Sequence, residues 1–313
     1  MKIAAIDVGS NSIKLVVVDA AASDSFAVLA REKDPTHLGH DTLLQGRLSP
    51  DAIGRAVECL KRFRAIAETR GAERIFAVAT ASVREARNSA QFITEVQRKA
   101  GVSIEVLSAI EEGRLTGLAA AQGCGRPGAS LLNIDIGGGS TEVSLMRDGA
   151  PARLLSVKLG AIGLTEKYIA TDPPKNKELK ALKQEVQAAL ERPARELKGE
   201  RWQQATGTSG TILAIGNALR LRAMSQGREP EGAQPAGDEI KLSKLISFNS
   251  RMSEMNSAQR RAVPGISSQR FEIIVAGGQI LEGVMQALRI ESLRTCGWAL
   301  REGVHSFRLF QDC

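Results

Sequence analysis

Two short segments share a pattern suited to gripping phosphate. Asp7-Val8-Gly9-Ser10-Asn11-Ser12 and Asp135-Ile136-Gly137-Gly138-Gly139-Ser140 each leave an apolar run through an aspartate and enter a turn carrying glycine and hydroxyls. Glycine accepts backbone angles that other residues resist, so such a turn lets amides point outward and cradle an anion. An ordinary Asp-x-Gly hairpin needs no ligand, but two copies at matching positions favour the cradle. A third turn, Gly207-Thr208-Ser209-Gly210-Thr211, stands between a strand-like approach at 204–206 and an apolar helix beginning near Ile212. It sets amides and hydroxyls at a helix N-terminus, a natural anion site. The alternative is a hydroxyl-rich cap without a ligand.

One acidic pair can be resolved by position. Ser108 followed by Glu111 reads as a capping box, in which the carboxylate turns back to the cap amide. Glu112 lies beyond the box and is the better candidate base. Arg84, in Thr80-Ala81-Ser82-Val83-Arg84-Glu85-Ala86, follows a strand and enters a loop where its guanidinium can grip phosphate through two donors. An ion pair with Glu85 or Glu112 is the equal alternative.

The elements that must position these groups form a repeat. Residues 3–17 and 131–145 match without a gap at a spacing of 128, each reading as strand, tight turn and strand. In this alignment Lys14 falls on Glu142, so the two hairpins need not share a role; one half is free to favour metal and the other phosphate. Ser49-Pro50 opens a helix with apolar residues at helical spacing, which Gly71 stops. Residues 74–80 read as a strand, 91–100 as a helix ended by Gly101, and 104–107 as another strand. A charged helix is expected over 176–197, a loop over 222–238, a buried helix over 273–288, a strand near 293–296 and an amphipathic tail from Trp298. Strands alternating with helices indicate an α/β architecture.

Several classes are excluded. No G-x-x-x-x-G-K-[ST] or G-x-S-x-G occurs, and only His37, His40 and His305 could serve a serine triad. His37-Leu38-Gly39-His40-Asp41 stands alone without the further ligands a metal needs. Cys59, Cys124, Cys296 and Cys313 lie far apart with no C-x-x-C pair, so they are expected as unlinked thiols. The chain has 313 residues, 42 Lys+Arg against 35 Asp+Glu, net +7, and 43% hydrophobic residues. That suits two folded domains and leans toward an anionic partner. With Tyr168, Trp202 and Trp298 as its only Tyr and Trp, the chain is poor in the stacking platforms of a nucleic-acid binder. No apolar run reaches a membrane span and no secretory signal opens the sequence, so a cytoplasmic protein without membrane or nucleic-acid partners is expected.

Taken together, Asp7-x-Gly9-Ser10-Asn11-Ser12, residues 80–86, Glu111-Glu112-Gly113-Arg114-Leu115, Asp135 through Glu142 and Leu300-Arg301-Glu302-Gly303 resemble the exopolyphosphatase and guanosine pentaphosphate phosphatase (Ppx/GppA) family. The resemblance covers nearly the whole chain and implies duplicated ribonuclease-H-like domains of the actin-like ATPase superfamily, with an interdomain cleft. Domain I is expected over 1–124 with 299–313, the last helix returning to it, and domain II over 125–298, a short two-domain member. It further implies hydrolysis of the terminal phosphate of inorganic polyphosphate, or of pppGpp to ppGpp; a homodimer is compatible with it. Such chemistry rests on positioning and electrostatics. Accordingly Glu112 is assigned as base, with Glu142 a second catalytic carboxylate. Asp135 and Glu142 are assigned to Mg²⁺ or another divalent cation, with Asp7 a weaker metal candidate. Ser10, Asn11, Ser12, Arg84, Gly137, Gly138, Gly139, Ser140 and the turn Gly207, Thr208, Ser209, Gly210, Thr211 are the expected phosphate donors. Arg270-Phe271-Glu272 departs from the family's Arg-Ala-Asp. A kinase or ATPase of the same superfamily is the rival, because Val275-Ala276-Gly277-Gly278-Gln279-Ile280 partly resembles an adenosine motif.

Overall fold

The computed structural model describes residues 1–22, 25–40, 42–227 and 237–304. The chain divides into two compact units, the first from Met1 to Leu115 and resumed at Leu300, the second Thr116–Ala299. The division falls inside a helix, earlier than the 124 expected from the sequence.

The first unit contains β1 (Lys2–Val8), β2 (Ile13–Ala22), β3 (Ser25–Asp34), α1 (Thr42–Gln45), α2 (Pro50–Thr69), β4 (Arg74–Ala79), α3 (Ala81–Arg84), α4 (Ser89–Ala100), β5 (Ile104–Val106) and the start of α5 (Ala109–Cys124). Its sheet runs β3-β2-β1-β4-β5, antiparallel over the first three strands and parallel thereafter. Side chains alternate along β2, as a period of two requires. Ile13, Leu15 and Val17 enter one core with α2 and α4, whereas Val16 and Val18 meet Leu115, Leu300 and Val304 on the other face. Helix α2 begins as its sequence indicates: the Ser49 hydroxyl accepts the Ala52 amide at 3.2 Å and Pro50 fills the first turn.

The second unit holds β6 (Leu131–Ile136), β7 (Thr141–Arg147), β8 (Ala150–Val157), α6 (Ala161–Tyr168), α7 (Asn176–Glu196), β9 (Gln204–Thr208), α8 (Ser209–Ser225), β10 (Glu239–Lys241), α9 (Leu242–Glu254), α10 (Ser257–Arg261), α11 (Ile274–Ala287) and β11 (Ser292–Thr295). Its sheet order is β10-β11-β9-β6-β7-β8. Apart from β10 this repeats the first sheet strand for strand, so the duplicated ribonuclease-H-like α/β architecture is realised. The register is repeated too: Asp7 pairs Lys14, and Asp135 pairs Glu142.

Some local expectations are corrected. Residues 81–84 form the short helix α3 rather than a loop. Helix α8 starts at Ser209, ahead of Ile212, and continues to Ser225, taking up the start of the loop expected over 222–238. Most of the rest of that loop lies outside the described residues, as do Asp41, His305, Cys313 and the end of the tail. Cys124 and Cys296 are not unlinked thiols but form a disulfide across 172 residues. The fold joins them because Cys124 ends α5 and Cys296 follows β11, beside the buried Ala120, Leu131 and Met146. Cys59 is free and buried, and burial pushes its thiol up to about 12. No described helix is long and apolar enough to cross a membrane.

Candidate active site

In the first unit the turn after β1 is held from behind. The Gly39 amide donates to the Ser10 carbonyl at 2.6 Å and the His37 amide to the Asn11 carbonyl at 3.1 Å. A Cβ on Gly39 would come within 2.6 Å of the Ser10 Cβ, so the backbone can approach only because residue 39 is glycine. The His37–His40 segment thus buttresses the turn, and its two rings meet edge to face at 5.0 Å. Ser10, Asn11, Ser12 and Asp7 are buried. Lys14 Nζ donates to Asp7 Oδ2 at 3.0 Å, while Asp7 Oδ1 is buried and accepts no hydrogen bond.

Arg84 and Glu112 come together. Arg84 Nη1 donates to the Leu107 carbonyl and to Glu112 Oε2, both at 3.0 Å. Of the two ion pairs open in the sequence, with Glu85 or with Glu112, the one with Glu112 is formed. A single nitrogen makes both contacts, so Nε and Nη2 remain donors for a further anion. The capping box is half made. The Ser108 hydroxyl accepts the Glu111 amide at 3.1 Å, but the Glu111 carboxylate is taken by Arg114 through both oxygens, at 2.7 and 2.6 Å. Glu112 is buried on the first turn of α5.

In the second unit one rung crosses four strands as Ser156, Glu142, Asp135 and Thr208. Ser156 Oγ donates to Glu142 Oε1 at 2.9 Å. Two carboxylates opposite one another are unfavourable without a countercharge. Arg270 supplies one: it is buried, it is attracted electrostatically to Asp135, and its Nη1 donates to Thr211 Oγ1 at 3.4 Å. Burial pushes the guanidinium down to about 10, against the pull of Asp135, so it keeps its charge at neutral pH. A Cβ on Gly210 would lie 2.3 Å from Arg270 Nη2, which is why this position is glycine. Arg270 is the group whose role the sequence left unassigned, because it lies in an irregular segment that only tertiary packing brings to the third turn.

That turn opens α8. Its N-cap Thr208 makes no side-chain capping bond, and Ser209 adopts φ 83° with its hydroxyl buried and unpartnered. A left-handed angle at a non-glycine residue is strain of the kind that gathers at functional sites. In the Gly137–Ser140 turn, Ala161 and Ile162 amides donate to the Gly137 and Gly138 carbonyls at 3.0 Å. With these carbonyls occupied by α6, the Gly138 and Gly139 amides have no protein acceptor among the described residues. A Cβ on Gly160 would come within 2.1 Å of the Gly138 carbonyl oxygen, so α6 can seat the turn only through glycine.

No three His, Cys, Asp or Glu side chains gather into a metal cage among the described residues. The donor chemistry nonetheless fits a hard cation. Asp135 and Glu142 are paired across the sheet, and Mg²⁺ commonly takes only one or two carboxylates beside substrate oxygens and water. The segment 275–280 lies inside α11, where Gly277 makes room for Thr211 and Gly278 for Asn249, so these glycines serve helix packing.

The Ppx/GppA phosphatase family profile matches residues 16–309. Exopolyphosphatase 1 of Mycobacterium tuberculosis is 33% identical over 308 residues, covering 97% of this chain and 87% of that protein. The protein of the same name in Mycobacterium leprae is likewise 33% identical, covering 97% and 88%. Among solved structures, the Aquifex aeolicus Ppx/GppA protein matches with a TM-score of 0.80 at 25% identity, covering 100% of this chain and 98% of that one. An exopolyphosphatase from Cytophaga hutchinsonii shares the fold with a TM-score of 0.90 at 21% identity, covering 99% and 98%.

Proposed function

Because this chain belongs to the Ppx/GppA phosphatase family, we propose that it is an exopolyphosphatase, releasing the terminal phosphate of inorganic polyphosphate by metal-dependent hydrolysis. The observation that carries this reading is the buried Glu112 carboxylate fixed by Arg84 at 3.0 Å. A water placed against Glu112 gives it a proton as the oxygen attacks the terminal phosphorus. The bridging P–O bond breaks, and orthophosphate leaves a chain one unit shorter. In the first unit the remaining Arg84 donors, and in the second the Gly138 and Gly139 amides, the α8 N-terminus and Arg270, are each suited to neutralise phosphoryl oxygens. Asp135 and Glu142 of the second unit would hold Mg²⁺, which would supply further positive charge for such oxygens.

The deciding assay offers long polyphosphate, pppGpp and ATP in parallel to the purified protein with Mg²⁺ and measures released phosphate. Polyphosphate is expected to turn over fastest. Faster pppGpp cleavage would move the assignment to a 5′-phosphohydrolase, and dominant ATP turnover would sink the hydrolase reading in favour of an ATPase.

A backbone prediction arises from Gly160. The Gly160→Ala methyl must displace the Gly138 carbonyl, and a misplacement of about 1 Å costs about 10²-fold in catalysis. Polyphosphate kcat/KM should therefore fall on that scale while circular dichroism stays native. Unchanged kinetics would show that the Gly137–Ser140 turn does not hold the reacting phosphate.

A further inference from the structure

In the second unit a buried ladder of polar side chains runs up to the turn that opens α8. Thr206 Oγ1 donates to Asn133 Oδ1 at 3.0 Å, and Asn133 Nδ2 donates to Thr208 Oγ1 at 3.3 Å. The Thr208 hydroxyl gives its own proton to the Ile134 carbonyl at 3.4 Å. All three side chains are buried. Apart from Asp135, the other residues of β6 are Leu131, Leu132, Ile134 and Ile136, and an apolar side chain at 133 would avoid the cost of burying an amide. The amide is committed instead to Thr208, the last residue of β9.

Strand β9 ends at Thr208 and α8 begins at Ser209, so no loop separates them. On the far side of the turn Thr211 is buried, accepts from Arg270 Nη1 at 3.4 Å and lies against Gly277. With Thr208 and Thr211 both anchored, the change of direction falls on Ser209 and Gly210. Ser209 takes it, at φ 83°. Glycine is the usual occupant of such an angle, and another residue persists there only where its surroundings over-determine it. The Ser209 hydroxyl is buried and has no hydrogen-bond partner.

We propose that Asn133 is a positioning residue for the phosphate site: through Thr208 it holds Ser209 in the left-handed conformation, and so fixes the direction of the Ser209 hydroxyl and of the first amides of α8. The inference rests on the exopolyphosphatase reading, in which this turn takes a phosphoryl oxygen. The first amides of a helix have no acceptor within it, and donors already held in place need no reorganisation as charge develops on the ligand. A relaxed turn would reach the productive conformation only part of the time, and apparent affinity falls by that fraction. The ladder also assigns the Thr208 hydroxyl, a phosphate donor by the sequence, to Asn133 and Ile134 of β6 instead.

The test combines Asn133→Val with Thr206→Val in Glu112→Gln protein. Removing both members of that hydrogen bond leaves neither orphaned, so the urea midpoint should hold. Calorimetric affinity for long polyphosphate should fall about tenfold, the order expected when backbone strain of this kind is released, and a crystal structure of the variant should show residue 209 at negative φ. Thr208→Val removes the clamp from its other end and should reproduce the loss. In a Ser209→Gly background the paired valines should cost only about twofold, because glycine populates positive and negative φ about equally. An equal loss in that background, or a variant that keeps residue 209 left-handed, would overturn the clamp. A relaxed residue 209 with unaltered polyphosphate affinity would overturn the positioning role. If the turn relaxed but the parent Glu112→Gln protein bound no polyphosphate, the functional reading would fall and the clamp would stand.

Discussion

Replacing Glu112 by Gln is expected to lower kcat for polyphosphate by about 10²–10⁴-fold, the usual contribution of a general base, while KM shifts only slightly. The amide oxygen can still accept from Arg84 Nη1, which keeps its second bond to the Leu107 carbonyl, so geometry survives and basicity is lost. Glu111→Gln is the control. Its half-buried carboxylate is occupied by Arg114 one turn on in the same helix, and its replacement by an amide that can still accept from Arg114 should leave kcat within about twofold. If the two substitutions had equal effects, Glu112 would be serving the fold rather than the reaction.

The second large effect is expected at Arg270. Arg270→Lys keeps a positive charge for Asp135 but loses the planar fork that donates to Thr211 at the start of α8. A fall of about 10²–10³ in kcat is expected, the scale of removing one donor to transition-state charge. Arg270→Ala should also cost stability, about 1–3 kcal/mol for leaving Asp135 and Thr211 under-satisfied in a buried setting, which urea denaturation would register. Guanidinium ion added to the alanine variant should restore part of the turnover, because it can enter the space beside Gly210. A variant that loses stability yet keeps near-normal kcat would make Arg270 a structural counterion only.

The two hairpins were legible because their signals are local. Glycine marks the turn, alternation marks the strands, and an ungapped repeat at 128 makes Glu142 the counterpart of Lys14, an equivalence the sheets display by pairing Asp7 with Lys14 and Asp135 with Glu142. The helix starting at Pro50 was equally readable, since capping chemistry lies within a few residues of the cap. What escaped was long-range or aperiodic. Nothing near Arg270 announces that it will lie against Gly210, and nothing near Cys124 announces Cys296. Strand β3 ends in Arg31-Glu32-Lys33-Asp34, a charged edge without apolar alternation, and edge strands often carry such charge to deter pairing with other chains. The choice between Glu85 and Glu112 as the ion-pair partner of Arg84 depended on where α5 begins relative to α3, a packing outcome. The Glu111 box was overread for a related reason: an arginine one turn on competes for the same carboxylate.

The reversal of charge between matching rungs also bears on direction. Linear polyphosphate has two identical ends, so nothing in the polymer distinguishes entering from leaving. An enzyme built from two identical halves would share that indifference and could treat a chain lying across it equally from either end. With Lys14 standing in one half where Glu142 stands in the other, the chain carries a polarity of its own. If the proposed function holds, that difference between the halves is what would let a symmetric polymer be read from a single end.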